Sequence, residues 1–115
     1  MTAPIELPMA IADCGLDEVA LQQQLERYRA LGAGADVTRP SPLELHVRLA
    51  DDPNPDLLRT TIETERECCS FFTLDYAAPD RRLTVGIEDP ARRSALDAIE
   101  AAVRSGAGPA RRDSR

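Results

Sequence analysis

Leu43-Glu44-Leu45-His46-Val47-Arg48-Leu49 alternates four aliphatic residues with three polar ones. A repeat of two marks a strand with one buried face and one wet face, because successive side chains leave opposite sides of the pleat. His46, the single histidine of the chain, falls on the polar alternation and is expected to face away from the core. Such a strand needs partners, and the sequence on either side provides them. Downstream, Asp51, Asp52, Pro53 and Asn54 make a loop. Asn54 followed by Pro55 is a cap and a first-turn proline, the start of a helix expected to run from 55 to 69 or 70. Thr73-Leu74-Asp75-Tyr76 and Leu83-Thr84-Val85-Gly86-Ile87 alternate again on either side of Pro79-Asp80, which reads as a hairpin. Asp89-Pro90 repeats the helix-start signature. Ala95, Leu96, Ile99, Ala102 and Val103 then form the apolar face of a last helix, which Gly106 is expected to end.

Upstream, Cys14-Gly15-Leu16-Asp17 reads as a turn closing on a helix cap, with Glu18 where the helix dipole favours an acid. Val19, Leu21, Leu25, Tyr28 and Leu31 recur mostly at steps of three and four, so this first helix has one apolar face and a wet Gln/Glu/Arg face. Gly32 and Gly34 stop it. Residues 5–12 are a short apolar stretch flanked and interrupted by Pro4 and Pro8, an edge strand or an extended lead-in. Residues 107–115 hold Gly, Pro, Ala, Ser and Arg with nothing to bury and are expected to be a disordered tail. The expectation is a single α+β domain over residues 1–106, in the order (β)α-β-α-β-β-α. Its three- to four-stranded sheet is packed with helices. The second helix should cross over right-handed and deliver its C-terminal end to the edge of the sheet.

Composition narrows the function classes. With 115 residues, 43% hydrophobic and 30% charged, the chain suits one modest core. A formal net charge of −6 speaks against a nucleic-acid partner, which calls for a basic face. No apolar run reaches the ~18–20 residues of a membrane-spanning helix. The first residues lack a basic start and a continuous apolar stretch, so no signal peptide is expected and the compartment is expected to be cytoplasmic. In a reducing compartment the three cysteines are better read as free thiols, metal ligands or redox groups than as disulfides.

Chemistry concentrates in Glu65-Arg66-Glu67-Cys68-Cys69-Ser70-Phe71-Phe72, which holds two of the three cysteines and two of the four aromatic residues. Leu58, Ile62, Glu65, Cys69 and Phe72 follow helical steps, so Glu65 falls on the apolar stripe of the second helix. A carboxyl there is costly unless partnered, and burial raises its pKa. Two functions compete for it: an ion pair with Arg27 or Arg29 of the first helix, or a role beside the sulfurs three and four residues on. The Cys68-Cys69 pair is either core filler or a pair of soft donors favouring Cu(I), Zn(II) and similar ions. Cys14 precedes the first helix, where amide groups and the dipole favour a thiolate, an effect that Asp17 and Glu18 oppose.

The spacing Glu-x-x-Cys-Cys-x-Phe, here Glu65, Cys68, Cys69 and Phe71 with Cys14 in the lead-in, resembles a family of small bacterial proteins associated with mercury- and arsenic-resistance contexts. The resemblance runs from about residue 10 to 103; the lead-in differs, with Cys14-Gly15-Leu16 where that family has Cys-Thr-Leu. A cysteine pair followed by two phenylalanines is also locally similar to alkylmercury lyase. That similarity implies two cysteines and a protonating carboxyl, roles that Cys14, Cys69 and Glu65 would fill. The leading expectation is a cytoplasmic protein binding a soft metal or metalloid ion (Hg, As, Zn or Cu) through Cys14, Cys68 and Cys69. For zinc, Glu65 is the nearest fourth ligand. Two other readings stay open. One is a thiol-dependent enzyme, an oxidoreductase or carbon–metal lyase, with Cys69 and Glu65 as its catalytic pair. The other is a non-catalytic regulatory or ligand-binding module. A homodimer formed through the sheet is compatible with all three.

Overall fold

The Asp17 carboxylate accepts a hydrogen bond from the Ala20 amide at 2.8 Å in the computed structural model, which describes residues 17–68 and 71–107. That cap opens helix α1 (Glu18–Gly32), which is followed by strands β1 (Asp36–Ser41) and β2 (Glu44–Arg48), helix α2 (Pro55–Cys68), strands β3 (Phe72–Ala77) and β4 (Arg82–Ile87), and helix α3 (Arg93–Ala107). The order is α-β-β-α-β-β-α, a small α+β domain. The other expected helix starts are also present. Asn54 Oδ1 accepts from the amides of Asp56 and Leu57 at 2.9 and 3.1 Å. Asp89 accepts from Ala91 at 2.9 Å but first opens a short 3-10 turn, Pro90–Arg92, ahead of α3. The strand considered within 5–12 and the tail beyond 107 lie outside the described residues.

The four strands are antiparallel neighbours in the order β1-β2-β4-β3. β4 therefore lies between β2 and β3, pairing with each. Leu45, Val85 and Leu74 form one cross-strand row and Val47, Leu83 and Tyr76 the next. Leu45, Val47 and Val85 are fully buried against Tyr28 and Leu31 of α1, Leu58 of α2, and Leu96 and Val103 of α3. The other face of the sheet is polar, with Thr38, His46, Thr84 and Asp75 in register across it. His46 stands there half-buried, its Nε2 2.9 Å from Glu44 Oε2. It turns away from the core, as the alternation predicts.

β1 is an element that the sequence pattern does not announce. Asp36-Val37-Thr38-Arg39-Pro40-Ser41 carries little apolar alternation, and Pro40 reads as a breaker. At a sheet edge proline is tolerated, and the ladder slips between Thr38 and Ser41. Arg39 does the work of an apolar residue on the inner side. Its guanidinium donates to the Ser41 and Pro42 carbonyls at 3.1 and 2.8 Å and pairs with Glu100 and Asp97 of α3 at 2.5 and 2.9 Å. Burial alone would raise the Glu100 pKa, but hydrogen bonds from Arg104 and Arg39 outweigh it and hold the carboxylate below its usual range.

Two details of the helices depart from the sequence reading. Val19, assigned to the apolar face of α1, is 67% exposed, while Gln24, assigned to the wet face, is 1% exposed. Gly106 does not stop α3 but lies inside it. Both Gly106 and Gly32 mark where α1 and α3 pack backbone to backbone. A β-carbon on Gly106 would fall 2.8 Å from the Arg29 carbonyl carbon and closer still to its oxygen. One on Gly32 would fall 2.9 Å from the Val103 carbonyl carbon and again closer to the oxygen. Among the described residues, no helix is long and apolar enough to cross a membrane.

Candidate functional site

The inner side of α2 carries Leu58, Thr61 and Glu65 in buried positions. Glu65 is 2% exposed, as its place on the apolar stripe predicts. Its partner is neither Arg27 nor Arg29. Gln24 of α1 is interposed: its Nε2 donates to Glu65 Oε2 at 3.1 Å and to the Thr61 carbonyl at 3.0 Å. Arg27 Nη1 in turn donates to Gln24 Oε1 at 2.6 Å. The guanidinium thus reaches the amide and stops there.

Tyr28 completes this buried polar group. Its hydroxyl makes weak hydrogen-bonding contacts with Glu65 and Gln24 that shift the ionisation of Tyr28 and Glu65, although neither Tyr28 Oη nor Glu65 Oε1 makes a bond of good geometry. Burial pushes the Glu65 pKa up, and hydrogen bonding to Gln24 and the influence of Tyr28 offset only part of that rise. Burial, followed by the negative charge of Glu65, pushes the Tyr28 phenol well above its usual value.

The raised midpoint of Glu65 has a testable sign. The folded state holds this proton more tightly than the unfolded chain, so the stabilisation is full below the unfolded pKa and is lost as pH rises through the folded one. Each unit of displacement is worth about 1.4 kcal/mol. Urea unfolding of Glu65→Gln and the parent chain, from pH 4 upward, is expected to show the variant gaining relative stability as pH rises. A difference independent of pH would show that the carboxyl titrates alike in both states.

Cys68 ends α2, one helical turn after Glu65. Its thiol is unbridged and half-buried against the core. Cys69 and Cys14 lie outside the described residues. Among the described residues, no group of three His, Cys, Asp or Glu side chains is arranged to hold a metal ion. Beyond the pair, Phe71 and Phe72 stack at 4.6 Å between centroids, and Arg92 sits 4.5 Å over the Phe71 ring. Arg66 Nη2 donates to the Leu74 carbonyl of the edge strand at 3.1 Å. Phe71 and Leu74 are thereby each contacted by an arginine, one from the turn before α3 and one from α2.

Sequence reasoning singled out Glu65 and Cys68 as candidates but not Gln24 and Tyr28, which surround Glu65, nor Arg92, which covers Phe71. The one available signal was Gln24, which lies between Leu21 and Tyr28 on the buried side of α1. Comparison with family models, curated proteins and solved structures finds no match to this chain.

Proposed function

We propose that this chain is a cysteine-based protein that binds a soft metal or metalloid ion in a reducing compartment, through Cys68 acting with Cys69 and Cys14. The observation that carries this reading is the thiol of Cys68, unbridged and half-buried on the last turn of α2, with a second cysteine next in sequence. Thiolates are soft donors, and adjacent sulfurs at a helix exit suit soft or borderline ions over magnesium or calcium. Three sulfurs suit ions content with three ligands, Hg(II) or As(III). Zinc more often takes a fourth.

Anaerobic titration of the reduced chain with Hg(II), As(III), Zn(II) and Cu(I), following thiolate–metal absorption and counting free thiols, tests this. All three thiols are expected to disappear at one ion per chain, and alanine at Cys68 to lower the affinity. Binding that survives alanine at all three cysteines overturns the reading. Thiols that resist alkylation until the chain unfolds return Cys68 and Cys69 to core packing and favour a non-catalytic module.

A thiol-dependent enzyme is the second reading. The burial of Glu65, which raises its pKa, favours it, because a carboxyl that holds its proton more tightly is better suited to act as a general acid. Turnover lost in Glu65→Gln while the ion still binds would select it.

A further inference from the structure

On the polar face of the sheet, opposite the buried row of Leu45, Val47 and Val85, two arginines stand side by side. Arg48 ends β2 and Arg82 opens β4, and the two are register partners, so their side chains leave the same face. Both are exposed. Like charges directly opposite one another across a ladder repel and cost stability, and little nearby offsets this. Arg82 reaches Asp80 only at 3.7 Å, in an exposed pair of a kind worth little. Arg48 makes no side-chain hydrogen bond or ion pair among the described residues. The two guanidinium groups border a cleft of about 190 Å³ that Asp36, Thr38 and His46 also line. His46 Nε2 is taken up by Glu44, while Thr38, beside it on β1, adds a hydroxyl. With two guanidinium groups to one carboxylate, the cleft is locally positive in a chain of net charge −6.

We propose that Arg48 and Arg82, with the Thr38 hydroxyl, form a binding site for a phosphate group. A guanidinium presents its donors in a planar fork that matches phosphate oxygens. Neighbouring strands run about 4.8 Å apart, so one anion can bridge the two forks and turn their repulsion into attraction. A carboxylate spends both oxygens on a single fork. Phosphate keeps oxygens for the second arginine and for Thr38, and is therefore the anion that fits. Asp36 stands opposite Arg48 on β1 and works against any anion, so it sets an upper limit on affinity. Exposure leaves the site reachable and subject to screening by salt. The free ion and a phosphate monoester share this chemistry. The site owes nothing to the cysteines: it lies on the face of the sheet turned away from the core, and its test does not involve them.

Amide NMR shifts of the full chain, titrated with inorganic phosphate, glycerol phosphate and acetate at ionic strength held constant with chloride, test this. Phosphate is expected to give saturable shifts centred on Thr38, Arg48 and Arg82, and acetate to bind more weakly. Arg48→Gln and Arg82→Gln should each weaken phosphate binding ~10-fold or more, the low end for a hydrogen bond to a charged group. Asp36→Asn should tighten it. Arg59→Gln, an exposed arginine of α2 paired with Asp56, should leave it unchanged and so controls for general charge. Tighter binding of glycerol phosphate assigns the site to a monoester and tighter binding of the inorganic ion to free phosphate; either supports the proposal. Shifts that do not saturate overturn it, as do acetate bound as tightly as phosphate, an Arg59→Gln effect equal to that of Arg48→Gln, or a loss of binding in Asp36→Asn.

Discussion

Gly106→Ala is expected to lower the unfolding free energy by about 3 kcal/mol, the upper part of the usual overpacking range, and Gly32→Ala to do much the same. The sign makes the test sharp. Inside a helix, alanine is ordinarily better than glycine by about 1 kcal/mol, so propensity alone forecasts a gain at Gly106. Here the added methyl would meet the Arg29 carbonyl, and at Gly32 the Val103 carbonyl. Main chain cannot rotate aside as a flexible side chain can, so α1 and α3 would have to separate. Their contact is the most extensive between the described helices, and separation would loosen Tyr28, Leu31 and Val103 together. Urea denaturation of each variant reads the loss as a lower midpoint at unchanged slope. A neutral or raised midpoint would mean that the helices do not touch there.

Leu45→Ala is expected to cost ~2–5 kcal/mol, as for other fully buried leucines, whereas His46→Ala, next in the chain, should stay within ~0.5 kcal/mol. Leu45 is fully buried, opposite Val85 on the strand beside it, and its removal opens a cavity in the core. His46 projects from the same strand onto the uncovered face, where its close neighbour is Glu44. The pair of measurements tests the alternation directly. Comparable losses at both positions would mean that the outer face is covered in solution.

How far such a structure can be read from its sequence depends on where each burial comes from. The strand at 44–48, the hairpin of β3 and β4, and all three helix starts follow from alternation and from capping side chains, which act within a few residues. Glu65 was legible for the same reason, because helical steps from Leu58 place it on the inner stripe. β1 was not, since its inner side is held by Arg39 reaching α3, a contact far removed in sequence. Val19 misled because it sits in the first turn of α1, beyond the reach of the core, and Gln24 because its burial depends on two acceptors of α2. Gly106 carried the ordinary signal of a helix end, and only the neighbouring helix shows it to be a contact. At the candidate site, Arg92 over Phe71 depends on the fold bringing a turn back to the cysteine pair, which no local pattern records.

The place of β4 between β2 and β3 also governs the order in which the chain can be completed as it leaves the ribosome. β1 and β2 can pair early as a hairpin, but β3 has no neighbour until β4 emerges, and β2 keeps a bare edge until the same moment. The last strand made is therefore the one that joins the two halves, and its pairing with β2 spans the whole of α2. Long-range closure of this kind is slow and leaves strand edges open to other chains in the interval. A nascent chain halted before residue 82 would expose both edges with nothing to fill them. Its hazard is aggregation during synthesis, through the inner edges of β2 and β3 that β4 closes in the finished sheet.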